Sequence, residues 1–351
     1  MKWAKVCMAV VLVIGFAAQL FPAAAEEMVT VVGWGGTWNK AYEDGVWNPY
    51  TKATGVKINQ EEWSGELAKI RAQVQNNNVI YDIVSAEAVE IEIGCAEGLF
   101  EKLPVSVTGD PANYLPGTIH PCGVASDTWA TIMVYDADQI KGDGPKSWAD
   151  FWDVKKFPGK RGMMAQAQRC FENALLADGV PPSEIYSVLR TPEGIDRVFA
   201  VLDRIRPHVV WWNTVTQALQ NLASGDVVMS DLYNARVTVE NESQGRHWVI
   251  VWQAGYFYGT DMWALVKGAP HRQAALDLLT WFSEPQNQAG FSKLYAYGTG
   301  RKETANFLPK DRLAELPTSP DNIKYAATYD DEFWVENKEA LEKRFKVWLT
   351  K

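Results

Sequence analysis

The chain has 351 residues, 47% of them hydrophobic and 22% charged, with a net charge of −9. That length exceeds one ordinary core and predicts two domains. The composition is that of a globular protein, and the acidic balance argues against nucleic acid or anionic lipid as the main partner.

Taken in order, the chain opens MKWAKVCMAVVLVIGFAAQLFPAAAEE. Lys2 and Lys5 give a positive start, residues 6–18 are apolar, and Ala23-Ala24-Ala25 is a small-residue cleavage pattern. Residues 1–25 therefore read as a signal peptide, too short in its apolar part for a spanning helix. The expectation is an exported protein with no permanent anchor, placed in the periplasm. Residues 29–32 predict a strand, ended by Gly33-Trp34-Gly35-Gly36, and a helix over about 39–52 that Gly55 closes. Residues 56–63 predict the next strand. Leu67, Ile70 and Val74 then mark one helical face, which Asn76-Asn77-Asn78 stops. A third strand over 80–84 and a helix over 89–99 complete an alternation that implies a parallel sheet with helices on its faces.

The run TWATIMVY at 128–135 reads as a strand crossing into a second lobe. Ser147 is placed as an N-cap, with Asp150 at the capping-box position. Helices are expected over 171–176, 185–189, 195–205 and 217–222. Strands are expected over 209–212, 227–229 and 248–252, and 261–266 is the expected return crossing. Ala275, Leu278, Leu279 and Phe282 share a helical face that Pro285 is expected to end. A last helix covers 337–349.

Chemistry concentrates in two stretches. VVMSDLYNAR, at 227–236, passes from an apolar run into Ser230, Asp231, Tyr233, Asn234 and Arg236. YFYGTDMW, at 256–263, sets Asp261 among aromatic residues. Ligands of α/β proteins sit beyond the carboxyl ends of strands. A guanidinium, a carboxylate and several aromatic faces gathered there suit a small molecule carrying both charges. The plain alternative is a solvated Arg236 and an Asp261 that merely belongs to a turn. Sixteen tryptophans are enough to fill cores and leave a few for such a site.

Past the signal peptide there are three cysteines, Cys95, Cys122 and Cys170, which allow one bridge and one free thiol. Cys95–Cys122 is the expected pair, because both precede the first crossing between lobes. Its loop contributes roughly 3–4 kcal/mol in the chain-entropy account. The chain has no phosphate-binding glycine loop, nucleophile elbow, zinc-protease helix or EF-hand loop. No metal ligand set is expected, the four histidines lie in unrelated contexts, and no cofactor is called for.

The opening VVGWGGTWNKAYEDGVWNPYTKATGV, the YDIVSAE strand, FENALLADGVPP, WWNTVTQALQNLASGDVVMSDLYNAR, FSKLYAYGTGRKET and DDEFWVENKEALEKRFKVWL together resemble the periplasmic solute-binding proteins of ABC importers, in particular the spermidine/putrescine-binding group. The resemblance implies a two-lobed α/β periplasmic-binding-protein fold, each lobe a mainly parallel sheet flanked by helices, with the ligand cleft between lobes and hinge closure around it. It implies lobe 1 over 28–133 and 262–310, and lobe 2 over 134–261 and 311–351. Carried over by position, Trp34, Trp38, Ser85 and Glu87 would face the cleft from the first lobe, with Tyr233, Asp261 and Tyr297 near the ligand. Polyamine binders carry acids just before the helix that matches 170–176; here stand Gln166-Ala167-Gln168-Arg169. With Arg236 added, the pattern is closer to the branch that binds γ-aminobutyrate and similar ω-amino acids. In that branch an arginine holds the carboxylate and an aspartate the ammonium. Arg236 and Asp261 match those places, and Arg169 is a reserve anchor. The implied partners are the small ligand and a membrane permease, with the protein itself monomeric and not an enzyme. A polyamine binder is the alternative ligand reading. An exported hydrolase and a scaffold or sensor without a small ligand are the rivals from other classes.

Overall fold

The computed structural model describes residues 28–351; the expected signal peptide at 1–25 lies outside them. No described helix is long and apolar enough to cross a membrane.

In the first part of the chain β1 (Met28–Gly33), β2 (Lys57–Glu62) and β3 (Ile83–Glu87) pair in parallel, in the order β2-β1-β3. Short β4 (Ile119–His120) leads into β5 (Gly123–Asp136), buried along almost its whole length. In the second part β6 (Arg161–Met164), β7 (Val209–Trp212) and β8 (Met229–Tyr233) are parallel, in the order β8-β6-β7. β9 (Trp248–Ile250) pairs with β5, and β10 (Tyr256–Leu265) pairs antiparallel with both β3 and β5. β11 (Ala326–Thr328) adds to β10. One path results, β2-β1-β3-β10-β5-β8-β6-β7. Two parallel triplets are thus joined by an antiparallel ribbon of β10 and β5. The residues expected to cross between lobes lie in that ribbon, whose register shifts between Asp261 and Met262. This mixed α/β arrangement is the periplasmic-binding-protein fold.

Several elements differ from the expectation. The third strand occupies 83–87, not 80–84. Ile80 is exposed, and Asp82 is taken up by Thr30 N at 2.8 Å and His271 N at 2.7 Å. β8 starts at Met229 and takes in the polar residues expected to follow a strand over 227–229. The sheet satisfies them, since Asp231 Oδ1 accepts from Met164 N at 3.1 Å and Trp212 Nε1 at 3.0 Å. Pro285 does not end the helix Arg272–Phe282; it opens the next, Pro285–Leu294, where its missing N–H costs nothing. The last helix is Asp331–Leu349, beginning earlier than 337 because Asp330 caps it through Phe333 N.

The expected helix over 39–52 is three pieces: Gly36–Tyr42, a wide π-type turn Glu43–Trp47, and Asn48–Thr54, closed by Gly55 at φ 83°. Gly45 in the wide turn meets Gly290 backbone to backbone: a Cβ there would lie 2.3 Å from Gly290 O. That close approach seats the helix Pro285–Leu294 against the first. Tyr42, fully buried, stacks on Phe291 at 4.3 Å and Trp47 at 5.0 Å. In the second part Phe171 gathers Phe199, Trp334 and Phe345, so the C-terminal helix packs on Ala167–Ala177. Cys95 and Cys122 are bonded, and Cys170 is a buried free thiol whose Sγ donates to Met164 O.

Candidate functional site

A cavity of about 250 Å³ lies where the ribbon meets the ends of the two triplets. Trp34, Trp38, Glu87, Tyr233, Arg236, Asp261 and Tyr297 line it, together with Trp129 and Val215.

One wall comes from the turn after β1. Gly33 passes so near the Trp38 ring that a Cβ would be 2.3 Å from it, and Gly35 has φ 77° against the Glu62 side chain. A side chain at either position would shift the turn. Trp34 is half-buried there, with Nε1 donating to Ser85 Oγ at 3.2 Å, and Ser85 bonds in turn to Ser126 Oγ at 3.0 Å. Ser85 is fully buried and does not line the cavity; it holds the indole that does. Trp38 is 2% exposed, packed against Tyr42, Trp263 and Phe291, and only part of it reaches the cavity.

An acidic row underlies the cavity, which Glu87 and Asp261 line and Asp127 does not. Glu87 on β3, Asp261 on β10 and Asp127 on β5 are in direct register across three neighbouring strands. Two indoles serve this row: Trp129 Nε1 donates to Asp261 Oδ1 at 2.9 Å, and Trp38 Nε1 to Asp127 Oδ2 at 2.8 Å. Burial pushes the Asp127 carboxyl up to about 8. Burial, then the neighbouring Asp127 and Glu87 charges, hold Asp261 well above the ordinary carboxylate range. Such a row attracts a cation and disfavours an anion.

The opposite charge comes from the second part of the chain. Arg236 stands in the first turn of the helix Asn234–Gln244, directly after β8. It is half-buried, its Nη1 reaches Thr37 Oγ1 at 3.4 Å, and its guanidinium lies 5.9 Å from the Tyr295 ring. Among the described residues it has no carboxylate partner. Arg169 does not line this cavity. It sits behind it, with its guanidinium 4.7 Å from the Tyr233 ring and 5.4 Å from that of Trp129. Its backbone has φ 81°, held by its N–H donating to Glu172 Oε2 at 2.7 Å. Glu172 also takes Tyr186 Oη and Trp334 Nε1, so Arg169 is fixed from the second part's core.

Trp129 escapes the sequence reading because it falls in the run 128–135 that reads as an apolar strand, and Asp127 because it stands just before that run. A signal was present: Ser126, Asp127 and Thr128 are consecutive polar residues inside a strand that is otherwise apolar.

A two-signed, aromatic cavity at the junction of two parallel triplets defines a class: a binder of small solutes that are drawn in between two halves. The comparisons agree. Residues 46–321 match the family model for bacterial extracellular solute-binding proteins. The chain is 42% identical over 334 residues to the gamma-aminobutyric acid-binding protein of Pseudomonas aeruginosa, covering 94% of each. It superposes on an ABC transporter substrate-binding protein from Bradyrhizobium japonicum with a TM-score of 0.83 and 30% identity, covering 92% of this chain and 99% of that one. A solved GABA receptor gives 0.79 and 27%, covering 92% and 98%. The chain belongs to the bacterial extracellular solute-binding proteins. It is a substrate-binding protein of the ABC-transporter class, not an enzyme.

Proposed function

We propose that this protein captures γ-aminobutyrate or a close ω-amino acid in the periplasm and delivers it to the permease of an ABC importer. The observation that carries the reading is that Glu87 and Asp261, backed by the buried Asp127 in the same register row, share one aromatic cavity with Arg236, which has no carboxylate partner among the described residues. The ammonium end rests on Asp261, and the indoles of Trp34, Trp38 and Trp129 cover the methylenes beside it. Arg236 takes the carboxylate with its fork of N–H donors. Arg169 sets the Tyr233 and Trp129 rings in place from behind the cavity and adds positive charge on that side. Residues 28–133 with 262–310 and residues 134–261 with 311–351 act as the two lobes that close. The P. aeruginosa relative's named ligand supports the choice.

A diamine or spermidine is disfavoured by the same geometry. Its far ammonium would face Arg236, with no carboxylate beside that guanidinium to offset the repulsion. The protein works as a monomer, and its net charge of −9 gives nucleic acid no attraction.

The test is a thermal-shift and calorimetric panel of ω-amino acids, diamines and spermidine. Ligand at about 100 times its dissociation constant stabilises the fold by roughly 2.7 kcal/mol. A response to diamines with none to ω-amino acids overturns the reading.

A further inference from the structure

Asp127 has a feature that ligand binding alone does not explain. It is fully buried, and its Oδ2 is satisfied by Trp38. Its Oδ1 is also buried and has no hydrogen-bond partner. An ionised carboxylate oxygen left in that state is costly, and the cost disappears if the group carries a proton or faces a cation. The residue directly opposite, across the β5–β10 ladder, is Asp261. Side chains directly opposite on one face of an antiparallel pair stand about 4.5–5.5 Å apart at Cβ. Two carboxyls at that spacing in a dry site do not both ionise.

We infer that Asp127 and Asp261 form one acid pair that holds a proton in the ligand-free cleft, and that the ligand's ammonium takes that proton's place. The inference rests on the ligand reading above for its second half only. Binding an amine then releases a proton, and Asp127 becomes a residue that sets affinity without being named by any surface of the cavity.

The surroundings bear on the same pair from every side. Glu87 from β3 and Glu90 from the helix Ala88–Ala96 add negative charge near Asp261. Trp129 and Trp38 donate to one oxygen each. Tyr42, Tyr295 and Tyr297 are close enough to feel Asp127, and Tyr233 to feel Asp261; burial keeps all four phenols neutral. Arg236 lines the same cavity from the helix after β8, and Arg169 lies behind Tyr233. Burial raises both carboxyls, Asp127 to about 8, so the proton is held through neutral pH.

Two measurements test this, one without ligand. Infrared spectra of the free wild-type protein at pH 7 should show the C=O stretch of a protonated carboxyl. A component of that band should fade above pH 8 and be lost alike in Asp127→Asn and Asp261→Asn, while the contributions of Asp231 and Glu90 remain in both variants. Calorimetry with γ-aminobutyrate, in two buffers of different ionisation enthalpy, should show close to one proton released per ligand at pH 7. Affinity should rise by about tenfold per pH unit from pH 6 toward 8 and then level, as one linked proton requires. In Asp127→Asn the slope should flatten; a purely structural role for Asp127 would lower affinity equally at every pH and keep the slope. If γ-aminobutyrate fails to bind at any pH while the carboxyl band is present, the ligand reading falls and the acid pair stands. If it binds with no proton release, pH-independent affinity and a carboxyl band identical in wild type, Asp127→Asn and Asp261→Asn, the pair falls and the ligand reading stands.

Discussion

Arg236→Ala separates binding from folding in one substitution. The side chain is half-buried, and within the protein it makes only a long contact to Thr37 Oγ1 at 3.4 Å and a distant approach to the Tyr295 ring. Neither holds the fold, so the ligand-free variant should unfold within about 0.5 kcal/mol of wild type, as surface substitutions do. Ligand binding should respond very differently. Leaving a buried charge without its partner costs about 3–5 kcal/mol. Because Arg236 is only half-buried, the lower end applies: about 3 kcal/mol, or roughly a hundredfold in Kd. Arg236→Lys should recover part of this, since one ammonium restores the charge but not the two-pronged fork. The assay is calorimetry with γ-aminobutyrate, alongside chemical denaturation of the free protein. Unchanged affinity in Arg236→Ala would refute the carboxylate role. A loss of several kcal/mol in the free protein's stability would instead make Arg236 a structural residue.

The two tryptophans of the first wall should part company. Trp34→Ala should weaken binding by about tenfold, the loss of an aromatic contact to an ammonium and its chain, with the fold intact. Trp38→Ala should cost about 3–5 kcal/mol of stability by denaturation, because it empties a core site. The free protein should lose stability as pH rises from about 4 to 8. Burial lifts Asp127 to about 8, Asp231 and Glu90 to about 7 and Asp331 to about 6, so between these values and the unfolded ones the native state binds more protons. A melting temperature that climbs across that window would contradict the sign. Peptide mapping without reductant should find Cys95 joined to Cys122 and Cys170 reacting only after unfolding. Replacing the bridge by serines should cost roughly 3–4 kcal/mol in denaturation.

Much of the fold was readable because its signals are local. The strand ended by Gly33-Trp34-Gly35-Gly36, the cap at Ser147 and the helix stop at Gly55 each follow from residue chemistry within a few positions. Errors came where tertiary partners override local preference. β8 keeps Ser230 and Asp231 inside the sheet because Gly162 O, Met164 N and Trp212 Nε1 meet them. Asp82 lies outside its strand, whose start moves to Ile83, because its carboxylate takes up Thr30 and His271. At the candidate site, residue chemistry singled out Tyr233, Arg236 and Asp261, and the resemblance added Trp34, Trp38, Glu87 and Tyr297; all seven line one cavity. For Asp127 and Trp129 the chain offered only the polar interruption Ser126-Asp127-Thr128, because their importance lies in what stands on the next strand, and strand neighbours are not written along the chain.

The acid row crosses β3, β10 and β5, which are hydrogen-bonded neighbours. Its spacing is therefore the interstrand distance of a sheet, about 4.7–4.9 Å per step, and no side-chain substitution can stretch it. Arg236 has no such constraint: it rides on a helix and meets Thr37 and Tyr295 from the other half. On the proposed ligand reading, the cleft would work as a calliper with one fixed jaw and one adjustable jaw. A lineage adapting to a longer or shorter solute should leave the aspartates alone and vary the residues around Arg236. Engineering for chain length should begin at Thr37, Tyr295 and the first turn of the helix Asn234–Gln244.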